Sequence, residues 1–285
     1  MGQFLIQGIL LGGLYAIIGI GMSMVFGVMR LTNLAHGDLM IVSAYLALTF
    51  CNLTGSLLLA AVLTVLSMVV IGFLVQRFLI NHVLDKGSEP ALLVTFGLSV
   101  FLANLLHNLF SVDYKSLPNS LVNTKITLPF ASFSAIYLFS FVVGIIMIVA
   151  LHFVMQRTRF GRAIRATSDD PMAVELTGVN AKRAYVLAMM LSMGTTAVSG
   201  ILIGCTYTFN SSVGSSYLII AFGVVVIGGM GSILGTLLGG VVLGIAQLLG
   251  SYFLGSGVQL LVAYIVLLIV LATRPNGLLA RATRK

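Results

Sequence analysis

The chain has 285 residues, of which 59% are hydrophobic and only 8% are charged. Soluble domains carry roughly 25% charged residues, so this composition excludes a soluble globular protein and indicates a membrane protein. The formal net charge of +8 does not indicate nucleic-acid binding, because the positive charges stand at the ends of apolar segments, where the positive-inside rule places them.

Uncharged apolar runs predict membrane-spanning helices, since about 20 helical residues cross a bilayer. The first run ends at Met29 and, lacking a positive region before it, is expected to be an uncleaved anchor. The others are expected at about 36–53, 57–76, 90–110, 135–153, 185–207, 217–255 and 258–273. The run that begins at Tyr217 is twice the length of a span, so it must fold back at least once.

The fold class predicted from these runs is an all-α, polytopic transmembrane helical bundle. It has about eight to nine spanning segments, and residues 1–285 form a single domain. Broken or re-entrant elements are expected near 31–38 and 226–235, where polar residues or glycines interrupt the apolar runs.

Lys and Arg residues are distributed unequally between the loops. Thirteen of the fifteen fall on one side of the predicted topology: Arg30, Arg77, Lys86, six within Met155–Arg183 and four from Arg274 onward. Lys115 and Lys125 fall on the other side. Because cytoplasmic loops carry the excess of Lys and Arg, the N-terminus is predicted outside and the C-terminus in the cytoplasm.

The basic cytoplasmic loop at about 155–183 contains a short predicted helix. Asp170 suits the N-cap, Pro171 suits the first helical position, and Gly178 suits the stop. The residues between them offer an apolar face made of Met172, Ala173 and Leu176, with Val174 at its edge. A helix of about seven residues is marginal alone, so an exposed apolar face here indicates a covering partner protein. The alternative is a surface loop that its arginines hold on the bilayer.

Two further motifs interrupt the apolar segments. The run from Asn33 to Asp38 includes His36 and Gly37. It predicts either a broken helix that lines a polar path or a turn at the cytoplasmic surface, where a helix N-terminus favours Asp38. A catalytic pair of His36 and Asp38 is disfavoured because no nucleophile stands nearby.

The second motif has three glycines in four residues, Gly228, Gly229 and Gly231, followed by Ser232. Glycines at this density do not continue a helix well. This motif predicts a broken or re-entrant element near a gate, or else a tight interhelical turn.

No G-x-x-x-x-G-K-[ST] motif is present, so any ATP that the protein uses must be bound by another chain. Cys51 and Cys205 are interpreted as packed apolar residues, with a disulfide between them as the alternative.

Together these motifs resemble the permease subunits of the branched-chain amino acid ABC importers, specifically the shorter, LivH-type partner. The resemblance covers nearly the whole length. Its most specific parts are Gly19–Met22, Asn33–Asp38, Arg159–Ala166, Asp169–Pro171, Ala173–Gly178, Val226–Ser232 and Gly235–Thr236. Sugar permeases of the same superfamily share the Arg-Phe-Gly-Arg and glycine-rich motifs, whereas the Ala-His-Gly element indicates the amino-acid and urea branch.

The resemblance implies a bacterial inner-membrane permease that translocates branched-chain or related hydrophobic amino acids and has no catalytic residue, metal or cofactor of its own. The expected partners are a second permease subunit, two ATPase subunits that bind ATP and Mg, a periplasmic or extracellular solute-binding protein, and membrane lipid. The residues expected at the translocation path or gate are Asn33, His36, Gly37, Asp38, Gly228, Gly229, Gly231 and Ser232. Those expected at ATPase coupling are Arg162, Asp169, Asp170, Pro171, Ala173, Glu175, Leu176 and Gly178.

Three alternatives remain open at this point. The first is a permease for urea, a short amide or another small solute of the same superfamily. The second is a stand-alone carrier or channel, which has no need of the coupling loop. Such a protein would differ from an importer subunit in having no ATPase partners. An intramembrane hydrolase would require a nucleophile such as Ser232 or Ser256 close to His36.

Overall fold

The computed structural model describes residues 2–122, 124–128, 131–274 and 276–279. Its principal elements are eleven helices. They are α1 (Gly2–Met29), α2 (His36–Thr54), α3 (Leu57–Leu74), α4 (Ser88–Phe110), α5 (Ala135–Arg157), α6 (Arg159–Asp169), α7 (Pro171–Leu176), α8 (Ala181–Thr206), α9 (Gly214–Gly228), α10 (Ile233–Leu254) and α11 (Gln259–Thr273).

Shorter elements connect the helices. After α3 the chain continues through a π-helical stretch, Val75–Ile80, and two short turns, Asn81–Val83 and Leu84–Lys86. Single 3₁₀ turns are formed by Ser120–Val122 and Ser256–Val258. Before α5, strands β1 (Lys125–Leu128) and β2 (Ala131–Ser134) pair antiparallel, with Lys125 opposite Ser134.

Seven helices are long and apolar enough to cross a membrane: α1, α2, α3 with its extension to Val83, α4, α5, α8 and α10. Two more, α9 and α11, are apolar but shorter. The prediction of an all-α polytopic bundle with about eight to nine spanning segments is therefore confirmed. Arg30, Arg157, Lys182 and Arg274 stand at one end of this bundle, which is called the basic end below.

The core is built around α1, which is buried along most of its length. Its glycines allow α10 to approach closely: a Cβ on Gly8 would lie 2.8 Å from Cα of Ile245, and a Cβ on Gly27 would lie 2.9 Å from Cα of Gly231. The order of these pairs shows that α1 and α10 run antiparallel. Small residues permit such backbone contacts, which stabilise helix pairs in lipid.

Helices α3, α4, α5 and α11 form the outer shell of the bundle. Each exposes large apolar side chains, such as Leu58, Phe101, Ile146 and Leu268. In water these surfaces would be unfavourable, so they are suited to lipid or to another transmembrane subunit. Cys51 and Cys205 are both free and buried in one apolar cluster.

Two elements were not predicted from the sequence. The polar loop before α5 contains the β1–β2 hairpin, and the basic loop contains α6 in addition to the predicted short helix. Helix α6 begins at a capped residue, since the Thr158 hydroxyl accepts a 3.0 Å hydrogen bond from the Gly161 N–H. Its buried face has a three-residue spacing and consists of Gly161, Ile164 and Thr167.

Candidate functional site

Helix α7 is the short helix predicted in the basic loop. Its N-cap is as expected: one carboxylate oxygen of Asp170 accepts hydrogen bonds from the N–H groups of Met172 (3.0 Å) and Ala173 (3.1 Å). Pro171 occupies the first helical position, and Gly178 follows the helix with a φ of 83°, a conformation that favours glycine. The local signals in the sequence therefore predicted this element correctly.

The exposed face of α7 is narrower than expected. Met172 is 81% exposed and Leu176 is 91% exposed, whereas Val174 is only 8% exposed and packs toward the bundle. Val174, expected at the edge of the exposed apolar face, is therefore buried and holds α7 against the bundle. All the residues predicted at coupling are exposed: Arg162, Asp169, Asp170, Pro171, Ala173, Glu175, Leu176 and Gly178.

Helix α6 connects α7 to the inner helices of the bundle. The Ser168 hydroxyl donates a 2.5 Å hydrogen bond to the Gly27 carbonyl near the end of α1. Ile164 is fully buried and packs in one cluster with Val28 of α1 and Ala188 of α8. Gly27 also contacts Gly231 in the turn between α9 and α10. A series of direct contacts therefore links α7, through α6 and the end of α1, to this turn.

The glycine motif forms that turn. Helix α9 ends at Gly228. The next glycines, Gly229 and Gly231, have φ values of 103° and 83°. The Ser232 hydroxyl caps α10 by accepting a 3.0 Å hydrogen bond from the Gly235 N–H. The predicted break at 226–235 is therefore present as a tight interhelical turn. Its contact with Gly27 places it at the basic end.

The chain after α11 folds back over the same turn. The N–H of Leu278 donates to the carbonyl of Ile227 (2.8 Å), and the N–H of Leu279 donates to the carbonyl of Gly228 (3.0 Å). These bonds satisfy carbonyl groups that the end of a helix leaves without intrahelical partners. The C-terminal segment thus fastens the end of α9.

The second predicted break, at 31–38, leads into the N-terminus of α2. Asn33 and His36 are fully buried, and Asp38 is 5% exposed. The Asn33 side-chain oxygen accepts from the Ala35 N–H at 3.1 Å, and Nε2 of His36 lies 3.0 Å from the Ile18 carbonyl oxygen. Nδ2 of Asn33 and Nδ1 of His36 have no hydrogen-bond partner among the described residues.

The N-termini of α2 and α9 meet at a point that we call the N-terminal junction, formed by His36, Gly37, Asp38 and Gly214. A Cβ on Gly214 would lie 2.9 Å from Cγ of Asp38, and one on Gly37 would lie 2.8 Å from the Leu218 amide nitrogen. The Ser99 hydroxyl of α4 donates a 2.5 Å hydrogen bond to the Asp38 carboxylate. Asp38, itself part of α2, is therefore in contact with two other helices, α4 and α9.

The junction is deep in the bundle. Ile18, the partner of His36, precedes the end of α1 by eleven residues, which corresponds to about 16 Å of helix. Leu218 precedes the end of α9 by ten residues, or about 15 Å. A membrane core is about 30 Å thick, so a junction 15–16 Å from the basic end corresponds to a position roughly halfway across it. This depth favours the broken-helix interpretation over the turn at the surface.

A cavity of about 470 Å³ lies in the half of the bundle opposite the basic end. It is bordered by α1, the β2–α5 region and the neighbouring ends of α8, α9, α10 and α11. Its polar lining consists mainly of tyrosines and glutamines: Tyr15, Tyr137, Tyr207, Tyr217, Gln7, Gln247 and Gln259. Leu11, Ile220 and Leu248 provide apolar wall, and the described lining contains no charged side chain.

Hydrogen bonds hold several of these polar side chains in place. Tyr15 donates to the side-chain oxygen of Gln247, and the Tyr137 hydroxyl donates to the Tyr207 hydroxyl at 3.2 Å. The Gln7 amide donates to the Ser132 carbonyl at 2.7 Å. The cavity is consequently a fixed arrangement of neutral donors and acceptors with apolar surface between them.

Toward the basic end the helices close tightly below the cavity. A Cβ on Gly19 of α1 would lie 2.7 Å from the Val224 side chain and 2.9 Å from the Thr236 side chain. Val224 lies one helical turn beyond Ile220, which lines the cavity. The structure is thus open toward one end and sealed by α1, α9 and α10 toward the other.

The predicted path residues do not line this cavity. Asn33, His36, Gly37 and Asp38 are absent from its lining, and Gly228–Ser232 lie at the basic end. The cavity was not predicted from the sequence, because its lining comes from distant parts of the chain. One signal was present: Gln7, Leu11 and Tyr15 stand at four-residue spacing and so share a face of α1.

In the described residues, no group of three or more His, Cys, Asp or Glu side chains could hold a metal ion. Within the same residues, Ser232 lies at the basic end and His36 at the mid-depth junction, so they do not form a catalytic pair.

Comparison with known proteins agrees with these features. Residues 4–271 match the family model described as "Branched-chain amino acid transport system / permease component". The high-affinity branched-chain amino acid transport system permease protein BraD of Pseudomonas aeruginosa is 30% identical over 98% of this chain and 95% of its own length. LivH of Escherichia coli, with the same description, is 31% identical over 98% of this chain and 95% of its own. The fructose import permease FrcC of Rhizobium meliloti is 32% identical over only 49% of this chain and 40% of its own.

Proposed function

The chain belongs to the family of branched-chain amino acid transport system permease components, and from this premise we propose that it is the transmembrane permease subunit of an ATP-binding-cassette importer. Its solute is a branched-chain or related hydrophobic amino acid. It works in the bacterial inner membrane with a second permease subunit, two ATPase subunits that bind ATP and Mg, and a solute-binding protein. The basic end faces the cytoplasm, in keeping with the positive-inside rule.

The observation that carries this proposal is the exposed, capped helix α7. Leu176 is 91% exposed at its end, and a short helix gains little stability from propensity alone. A rigid cap and an uncovered apolar side chain are what a docking element needs, because the partner then supplies the missing burial. Each ATPase subunit binds one such helix, and its movement is the input to transport.

The route of force follows the contacts of α6. When the ATPase subunits close, α7 moves, and Ser168 and Ile164 transmit the displacement to the end of α1. The turn Gly228–Ser232 then acts as the gate at the basic end, since Gly27 packs on Gly231. The N-terminal junction, with Asn33, His36, Gly37 and Asp38, fixes the start of α9 against α2. Other residues in the first two turns of α9 line the cavity.

The test is uptake by the assembled transporter with a charge placed on α7. Leu176→Asp should reduce leucine uptake at least tenfold and uncouple it from ATP hydrolysis, because a carboxylate cannot be buried at the docking surface without cost. The chain should still fold, since Leu176 has little contact with the rest of the chain. Val112→Asp is the control, because it also puts a carboxylate in place of an exposed apolar side chain, but at the opposite end of the bundle.

Wild-type uptake from Leu176→Asp, with normal coupling to ATP hydrolysis, would rule out α7 as the docking element. Uptake by the chain without ATPase subunits would favour the stand-alone carrier or channel. A thermal-shift screen of the solute-binding protein against leucine, isoleucine, valine, urea and short amides decides between the amino acids and the other solutes of the superfamily.

A further inference from the structure

We propose that the cavity between α1 and α9–α11 is a transient binding site for the transported amino acid, and that it gives this permease its own selection against charged side chains. The inference rests on the proposed function, since it concerns the same solute. It goes beyond that function by locating a solute site within this chain and by assigning it a selectivity.

The dimensions and lining of the cavity support a small-molecule site. Its volume of about 470 Å³ lies within the roughly 300–1,000 Å³ that ligand pockets span. Such pockets combine aromatic and apolar walls with a few placed polar groups. Here Leu11, Ile220 and Leu248 offer the wall for an aliphatic side chain, and four tyrosines and three glutamines offer the polar groups.

The polar groups suit both ends of a zwitterion. Tyrosine hydroxyls and glutamine amides donate to a carboxylate, and tyrosine rings and glutamine oxygens attract an ammonium group. The bonds of Tyr15 to Gln247 and of Tyr137 to Tyr207 hold these groups in position before a ligand arrives. Because none of these groups is ionised, the cavity binds weakly, which a site on a transport path requires for release.

Selectivity follows from the missing counter-charge. The polar groups are taken by the two backbone charges of the amino acid, so a lysine or glutamate side chain would place a third charge against the wall of Leu11, Ile220 and Leu248. There it would lose water and find no charged partner among the described lining residues, which is costly. The aliphatic side chains of leucine, isoleucine and valine lose nothing by the same transfer. The permease therefore discriminates by side-chain charge even when a charged solute is delivered to it.

The site can be tested on the intact transporter with photo-leucine, a diazirine analogue of leucine, followed by mapping of the adducts by mass spectrometry. Adducts are expected in the first two turns of α9 and around Gln247. Excess leucine should reduce them at least tenfold, whereas the same excess of lysine or glutamate should not. Labelling confined to other parts of the chain, or equal competition by lysine, would overturn the proposal.

Two neighbouring serines provide a matched pair that blocks the cavity after folding. Ser216 lines the cavity and Ser215 does not, although both are exposed in the first turn of α9. Each is changed to Cys in a background with Cys51→Ala and Cys205→Ala, and then alkylated with a bulky maleimide once the transporter is assembled. Alkylated Ser216→Cys should lose photo-labelling and uptake at least tenfold, and alkylated Ser215→Cys should keep both.

The outcomes separate this inference from the proposed function. Leucine uptake without cavity labelling, or uptake that survives the alkylation of Ser216→Cys, contradicts the site and leaves the permease function standing. Cavity labelling without leucine uptake contradicts the proposed solute and supports the site. The absence of both labelling and uptake contradicts both.

Discussion

Asp38 is an acidic residue halfway across the bundle, and its surroundings explain how it is tolerated. It belongs to the first turn of α2 and contacts Gly214, where α9 begins. The N-terminal end of a helix carries partial positive charge, so two helix dipoles favour the carboxylate at once. Ser99 adds a hydrogen bond from α4. Asp38 thereby joins three helices without requiring a basic partner.

This arrangement predicts graded effects of substitution at Asp38. Asp38→Asn keeps an oxygen that can accept from Ser99 but removes the charge, and we expect a loss of about 1 kcal/mol of stability. Asp38→Leu removes both the charge and the hydrogen-bond acceptor, and should lower the stability by about 2–3 kcal/mol. The measurement is the thermal unfolding midpoint of the detergent-solubilised protein. Asp113→Asn, at an exposed position in the loop after α4, is the control and should leave the midpoint unchanged. Equal midpoints for wild type and Asp38→Leu would contradict the role of Asp38 as a link.

At the scale of elements, the close approach of α1 and α10 determines how the bundle is assembled. A Cβ on Gly240 would lie 2.7 Å from the amide nitrogen of Ala16, and a Cβ on Gly244 would lie 2.6 Å from that of Gly12. The two backbones are therefore in direct contact, and each added methyl group must push the helices apart. The same contacts continue to Gly19, where they form the seal below the cavity.

Gly240→Ala should accordingly destabilise the protein by about 1–3 kcal/mol, the usual effect of overpacking a close contact. Gly97→Ala is the matched control, because a Cβ on Gly97 in α4 would meet nothing within 4 Å. At Gly97 the higher helix propensity of alanine should stabilise the protein by up to about 1 kcal/mol. Thermal unfolding of both variants checks the pair, and a stabilised Gly240→Ala would show that α1 and α10 can separate freely.

The elements that were predictable are those with local signals. Asp170, Pro171 and Gly178 specify α7 through cap geometry within nine residues of chain, and apolar length specifies the spans. Helix α6 was missed because its polar exterior hides a narrow buried face of Gly161, Ile164 and Thr167. The depth of the N-terminal junction was left open because it depends on Gly214 and Ile18, which are far from Asp38 in sequence. Long-range packing of this kind leaves no pattern in the local sequence.

At the scale of the whole molecule, the helix order brings basic side chains together at one end of the bundle. The ends of α1, α5 and α11 and the start of α8 gather at the basic end, with Arg30, Arg157, Arg274 and Lys182 beside them. The cavity lies in the opposite half. If the basic end is cytoplasmic, the cavity is on the side from which a solute-binding protein delivers, and the seal at Gly19 faces the cytoplasm.

Cysteine labelling in whole cells tests this orientation. A membrane-impermeant maleimide should label Val112→Cys in intact cells and Glu175→Cys only after permeabilisation, since both positions are exposed at opposite ends of the bundle. The two native cysteines are buried and should contribute little background. The reverse labelling pattern would invert the topology and would place α7 out of reach of any cytoplasmic ATPase.

The N-terminal junction also has a consequence for biosynthesis. Helix α2 has a mean hydropathy of 1.3, the lowest among the seven candidate spans, and its first turn is held by Gly214 of α9. The ribosome makes α2 long before α9, so during most of translation Asp38 lacks one of the two helix ends that stabilise it. We expect α2 to reach its final depth only after α9 has entered the membrane. A nascent chain halted before Gly214 would then keep a poorly inserted second helix, and membrane quality-control proteases would remove it.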